Sequence, residues 1–334
     1  SVSSNTTSNG YGGGLFISNG TVRIYNNANI NGNAAQRITD NGDGGGIYLM
    51  SGNLKLDTCN LNNNVAYRNG GGLMINSASA FLTATGNTIS NNYSTTDAGG
   101  GVFIYAGNAS FKRTSFTYNT NVNKGAGLCV WGAASPIILD TCSLLYNVTQ
   151  NNATDVNYGG AIFINSATVN ATACNFTGNK GYNTNNSRRP KGGAVYLFQG
   201  TYNGTGNSYT SNSVNTTNSL GGALFNDQGT MLNTNCSFTT DSSGRNGGAI
   251  YNANGTAVTT NVHCTFSSCY AGNIGGAISI NAGTVNSDSC VFSTNKSASA
   301  GGAIFQNAGN STNVKCTFNG NQSQDRKSTR LNSS

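Results

Sequence analysis

Residues Asn157 to Asn179 read NYGGAIFINSATVNATACNFTGN, and the two short signatures inside this stretch decide the fold. Gly159-Gly160-Ala161-Ile162 opens it, Cys174-x-Phe176-x-x-Asn179 closes it, and a turn separates them. The pair recurs eleven times. The aliphatic residue after the glycines marks each copy, from Leu15 and Ile47 through Ile162 to Ile278 and Ile304, and the apolar residue of the second signature follows from Ile30 to Phe318. A repeat of this length signals a solenoid or array.

Within a copy the two markers lie nearly always fourteen or sixteen residues apart. Strand side chains alternate faces with a period of two, so an even spacing lets both markers point to one interior. The segment between the Asn of one copy and the Gly-Gly of the next varies instead, from five residues after Asn295 to twelve after Asn179. Fixed strands with one variable edge predict an all-β, single-stranded parallel β-helix of about eleven coils, with strands stacked about 4.8 Å apart. A leucine-rich horseshoe or a propeller would need a different period.

Composition agrees. Gly numbers 46 of 334 residues and Pro only 2, which suits tight corners joined by ladders that need every backbone N–H. Charged residues make up 8% against about 25% in ordinary domains, and Asn, Ser and Thr supply the polarity instead. An Asn-rich disordered segment has no reason to place aliphatic residues in register.

The GGAI motifs at Gly159–Ile162, Gly247–Ile250, Gly275–Ile278 and Gly301–Ile304, with the FxxN pairs Phe116/Asn119, Phe176/Asn179, Phe292/Asn295 and Phe318/Asn321, resemble the polymorphic membrane protein repeats of Chlamydia and related surface proteins. The resemblance runs from Gly12 to Asn321. Ile30, Leu61, Ile89 and Tyr209 depart from it in place of Phe, and Asp241 and Cys269 in place of Asn. It implies a right-handed coil, an autotransporter passenger of the outer membrane, an extracellular or cell-surface address and a role in adhesion.

Both ends read as incomplete. Ser1 begins without Met or a signal peptide, and DRKSTRLNSS, residues 325–334, breaks the composition as an adapter-derived tail would. Residues 1–324 are therefore expected to be one repeat domain, a fragment of a longer solenoid. Without the tail the formal charge falls from +7 by three cations and one Asp to +5. No basic strip with interleaved aromatics suggests nucleic acid, and no apolar run is long enough for a membrane span.

Seven of the nine cysteines, Cys59, Cys142, Cys174, Cys236, Cys264, Cys290 and Cys316, lie two residues before the second marker and should form an inward column. Packing thiols are expected over inter-coil disulfides, because strand stacking constrains the disulfide dihedral. No metal site, cofactor or catalytic residue is predicted: Cys-x-x-Cys is absent, and His263, the single histidine, has outward parity. The Asn of FxxN suits a corner, where it tolerates a left-handed backbone and can ladder.

In the first strand the residue between the inward aliphatics is Phe16, Tyr48, Phe103, Phe163, Tyr196, Phe225, Tyr251 or Phe305, with Met74, Cys129 and Ser279 in the other coils. On this parity the aromatics form an exterior stripe, expected to bind host-cell or matrix glycans or proteins, or to drive self-association into filaments. The bland alternative is that they only stabilise the sheet.

The runner-up function is a carbohydrate-active lyase or hydrolase fragment. The chain has no Glu, and Asp57, Asp140 and Asp288 share a column at least three coils apart, too far for a carboxylate pair. Asp40 and Asp43 miss the full calcium-loop pattern and read as a solvated turn, and Arg188, Arg189 and Lys191 as a solvated loop. Candidate N-glycosylation acceptors include Asn19, Asn108, Asn152, Asn170, Asn203, Asn254 and Asn310, at a density that the Asn, Ser and Thr content alone produces. The expected function is a non-enzymatic, secreted or surface-displayed repeat protein, an adhesin or an extracellular structural component.

Overall fold

A computed structural model describes residues 1–8, 10–36, 42–133, 135–151, 157–183 and 189–324. Asp40, Asn152, Arg188 and the 325–334 tail lie outside the described residues. Each named strand pairs in parallel with its equivalents in the adjacent coils, giving four sheets that run the length of a solenoid. In the coil that begins at Gly159, sheet 1 receives Ile162–Asn165, sheet 2 Ala167–Thr172, sheet 3 Asn175–Thr177 and sheet 4 Lys180–Asn183. Sheets 1 and 2 hold eleven strands and sheets 3 and 4 twelve. The extra half coil is Val2–Ser3 and Thr6–Thr7, which precedes the first glycine signature. Among the described residues there is no helix.

Left-handed backbone bends the coil. In the same repeat Gly159 (φ 64), Ala173 (φ 51) and Gly178 (φ 64) turn the chain before sheets 1, 3 and 4. The second glycine is needed for space instead. A Cβ on Gly160 would lie 2.2 Å from the Gly193 carbonyl oxygen and 2.6 Å from the Lys180 backbone nitrogen. One glycine thus supplies a conformation and the next a close approach of two coils.

Both markers face one interior, as their even spacing requires: Ile162 and Phe176 are fully buried in one continuous cluster with Cys174. The second markers stack ring on ring from Phe176 through Tyr209, Phe238, Phe266 and Phe292 to Phe318, at centroid distances of 4.8, 4.6, 4.7, 4.7 and 4.8 Å. These spacings match the strand separation, so the ring ladder follows directly from the backbone ladder.

The Asn column is a ladder too, though the left-handed residue is the one before it, as at Tyr118 (φ 56) and Tyr146 (φ 55). The Asn side chain turns inward. Asn147 Oδ1 accepts from the backbone N–H (3.1 Å) and the side-chain amide (3.0 Å) of Asn119, while its own Nδ2 donates to the Phe116 carbonyl (2.8 Å) and to Asn179 Oδ1 (3.0 Å). The same pattern links Asn33, Asn64, Asn92, Asn119, Asn147, Asn179 and Asn212. Each buried amide is satisfied by the next coil, which is why a polar residue can occupy a corner of the core.

Asp241 continues that column. Its Oδ1 accepts from the Asn212 backbone N–H at 2.8 Å and side-chain amide at 3.0 Å, and its Oδ2 has no partner among the described residues. Burial pushes its pKa up to about 8 against the hydrogen bonds from Asn212, so the neutral acid is favoured at pH 7. A raised folded-state pKa gives stability that is whole below the ordinary value of 3.8 and is lost as pH rises toward 8. Asp241→Asn is therefore expected to flatten that decline and to leave the variant more stable than the parent at alkaline pH. Urea unfolding at mildly acidic and alkaline pH reads this; parallel pH profiles for the two proteins would contradict it.

All nine cysteines are free thiols. In the inward column each Sγ sits against two backbone carbonyls, one two residues back and one in the preceding coil, as Cys264 does with Val262 and Asn233 at 3.4 Å each. Asn87 and Asn207 hold the same position and donate to the Leu56 and Ala171 carbonyls. The column therefore serves carbonyls at the corner between sheets 2 and 3. His263 (φ 51) is the left-handed residue of that corner.

Candidate functional site

The register of sheet 1 aligns three columns along the outside of the solenoid. The middle one is the residue after the first marker, where Phe103 pairs with Met74 and Cys129, and Phe163 with Cys129 and Tyr196. It points away from the interior, as its parity requires, but it is not an exposed stripe. Tyr48, Phe103, Phe163, Tyr196, Phe225 and Tyr251 are buried, Phe305 is half-buried, and only Phe16 is open at 49%. These six form a second apolar cluster, separate from the interior one.

The cover comes from the residue before each Gly-Gly, the second column. That position forms its own ladder of single bridges from Ala98 through Lys124, Tyr158, Lys191 and Leu220 to Ala300. Because the next residue is a left-handed glycine, its side chain folds back over sheet 1. Tyr11 lies 4.5 Å from Tyr48 and Tyr158 lies 4.6 Å from Tyr196, centroid to centroid. Lys191 Nζ sits 4.8 Å from the Phe225 centroid, 5.7 Å from Tyr196 and 5.5 Å from Tyr158. Beneath this roof the rings stack at 5.4 Å (Phe163–Tyr196), 5.0 Å (Tyr196–Phe225) and 5.3 Å (Phe225–Tyr251).

Burial of this layer bears on its titratable groups. Burial, reinforced by the charge of Asp227, drives the Tyr196 hydroxyl pKa far above its usual value, and that hydroxyl donates to Asp227 Oδ2 at 2.5 Å. Burial likewise raises Tyr48 and Cys129 and lowers Lys191, whose charge Asp227 favours. Of the predicted loop cluster, Arg189 is exposed, and Lys191 is spent on the ring stack rather than presented to solvent.

The third column lies three residues after the marker: Asn76, Tyr105, Trp131 and, further on, Phe198. Between it and the roof column a cleft of about 500 Å³ opens where the roof residue shrinks to Ala98. Met74 and Phe103 form its floor, Tyr105 (53% exposed) and Trp131 (37%) one wall, and Asn69, Ala98 and Lys124 the other. A volume of this size suits a small-molecule site. A smaller hollow of about 210 Å³ adjoins it, also lined by Lys124 and Trp131 and continued by Tyr158, Phe163, Tyr196 and Phe198.

The charges at the cleft are compensated. Lys124 Nζ lies 3.0 Å from Asp97 Oδ1 and 5.8 Å from the Trp131 ring centroid. Arg68 donates through Nε to Asp43 Oδ1 at 3.0 Å and through its terminal nitrogen to Oδ2 at 2.5 Å. Asp43, 1% exposed, also accepts from the Asn69 backbone N–H. Its carboxylate is occupied as a buried anchor, which corrects the solvated-turn reading of that residue.

The other candidates lie apart. Asp57 pairs with Arg23 at 3.2 Å and with Lys55 at 3.5 Å, Asp140 with Lys112 at 3.1 Å. The register Asp57–Thr85–Lys112–Asp140 keeps the two acids three coils apart. Among the glycosylation acceptors Asn19, Asn254 and Asn310 are exposed, and Asn108, Asn170 and Asn203 are half-buried in sheet 2. Asn254 donates its amide to Asp227, and Asn203 donates to Asn170 Oδ1 at 2.9 Å. No group of three or more metal-binding side chains occurs among the described residues.

Sequence reasoning missed Tyr105, Trp131 and Ala98. The signal was present in the repeat register: two successive aromatics at the third position after the marker, beside a roof residue without bulk.

Residues 1–144 match the family model of a right handed beta helix region, and residues 289–307 match that of the Chlamydia polymorphic membrane protein repeat. The second match spans Cys290, Phe292, Asn295 and Gly301–Ile304, the closing signature of one copy and the opening signature of the next. No curated protein and no solved structure matches the chain.

Proposed function

Taking the chain as a polymorphic-membrane-protein-like parallel β-helix, we propose that it is a non-enzymatic, surface-displayed or secreted rod that acts as an adhesin. The observation that carries this reading is the cleft between Tyr105, Trp131 and Ala98, a concave opening beside a ring column that Tyr158 and Lys191 cover further along. The match to a membrane-protein repeat supports a surface address. A rigid stack of eleven coils, about 5 nm long at 4.8 Å per coil, suits a spacer that holds such a surface away from its attachment. The cleft brings one carboxylate, Asp97, against Lys124, which favours binding over the two-carboxylate chemistry of glycoside hydrolysis.

Beads coated with the folded chain are expected to adhere to some member of a panel of cell and matrix surfaces, and beads coated with the unfolded chain are not. Adhesion to none of them, or release of sugar ends from a polysaccharide by the purified chain, would remove this reading.

A further inference from the structure

We infer that the cleft over Met74 and Phe103 binds a neutral, hexose-based oligosaccharide lying along the solenoid axis, a ligand assignment that rests on the adhesion reading. The first support is the wall. Tyr105 and Trp131 hold the same position in adjacent coils and are 53% and 37% exposed, and the Trp131 ring is braced by Phe163 at 5.9 Å, centroid to centroid, so two exposed aromatic side chains stand along one wall. Pyranose rings present C–H faces that pack on aromatic faces, and their hydroxyls reach outward to polar groups.

Both sides of the cleft supply those groups, Asn76 from the column of the aromatic wall and the others from the opposite rim. Asn69, Asn76 and the Asp97–Lys124 pair line the cleft, offering amide and charged donors and acceptors without net charge. An acidic glycan or a phosphate would meet cations already held by carboxylates, Arg68 by Asp43 and Lys124 by Asp97. A peptide strand would lack a backbone edge. Gly99 N–H donates to the Lys124 carbonyl and Gly125 N–H to the Tyr158 carbonyl, at 3.0 and 2.9 Å, so the rim backbone is consumed in the ladder between coils. Hydroxyl-rich rings that need side-chain partners fit what remains.

A second hollow on the far side of the Lys124–Trp131 contact takes the two depressions together from the coil of Met74 to that of Tyr196. Four coil rises make about 19 Å, enough for a short oligosaccharide rather than a single sugar. The main cleft is open because Ala98 occupies the place where Tyr158 and Lys191 cover the ring column further along.

Trp131 is the only tryptophan in the chain, so its emission reports on this site alone. Cellohexaose, chitohexaose and mannohexaose would be titrated into the full chain, with hexagalacturonate as the acidic comparator, at low and high salt. The expected result is a saturable change in emission with at least one neutral hexamer, unaffected by salt and absent with hexagalacturonate. Tyr105→Ala should weaken that binding by about tenfold, and Ala98→Tyr, which copies the roof of the neighbouring coil, should abolish it. Both variants should retain the parent melting temperature, since Tyr105 is exposed and the cleft has room for the new ring.

Three results would overturn the inference: no neutral hexamer binds at millimolar concentration, only the acidic hexamer binds, or both folded variants bind as the parent does. If beads carrying the chain adhere to cells while no neutral hexamer binds, the ligand class is wrong and the adhesion reading survives. If a neutral hexamer binds and the beads adhere to nothing, the adhesion reading alone fails.

Discussion

Phe225→Ala is expected to destabilise the protein by about 3 to 5 kcal/mol, the usual loss for truncating a fully buried ring, although Phe225 points away from the interior of the coil. The ring is 1% exposed. It stacks between Tyr196 at 5.0 Å and Tyr251 at 5.3 Å, with Lys191 Nζ 4.8 Å from its centroid. Removing it leaves a void between two rings that the backbone holds in register, so the neighbours cannot close the gap. It also strips a desolvated ammonium of one of its aromatic partners. Urea unfolding followed by circular dichroism measures the loss. A change below about 1 kcal/mol, the scale of a surface substitution, would show that the outer rings decorate the sheet without supporting it.

Asn147→Ala should also destabilise the protein, by somewhat less and for a different reason. Its side chain occupies the middle of the amide ladder, and its removal leaves the buried Asn119 backbone N–H and side-chain amide without the Oδ1 that both use. The Phe116 carbonyl and Asn179 Oδ1 each lose a donor as well. The Asn119 side-chain amide keeps the Ile89 carbonyl and Asn179 Oδ1 keeps the backbone N–H of residue 147, so the Asn119 backbone N–H is the donor left without its partner, at a cost of about 1 to 3 kcal/mol. Asn147→Asp tests the chemistry separately. It keeps the acceptor and loses the donor, so it should be tolerated best at low pH, where the acid is neutral and can donate. Equal stability of the Ala variant and the parent would mean that the ladder is dispensable.

The interior was legible because its code is local. Ile162 and Phe176 repeat at even spacing and Asn179 ends each copy, and a period-two backbone turns that spacing into one common face. The thiol column was legible for the same reason: Cys174 keeps the parity of Phe176. The ring column was legible only in part. The direction of Phe163, Tyr196 and Phe225 follows from parity, but their burial depends on Tyr158, Lys191 and Leu220, which belong to the variable edge. The cleft was not read at all. Tyr105 and Trp131 come into play only where a small residue, Ala98, stands opposite them in the register of neighbouring coils.

The sequence alone therefore determined a parallel β-helix of about eleven coils, its inward aliphatic, aromatic and thiol columns, and the edge that carries the insertions, because each rests on alternation along one strand and repetition along the chain. Only the tertiary structure decided which outward residues meet solvent, that Asp43 is buried beneath Arg68, that Asp241 sits as an acid inside an amide ladder, and where the side wall opens. Those outcomes depend on how a side chain from one segment covers the face of another. No pattern of alternation within a strand encodes that distance.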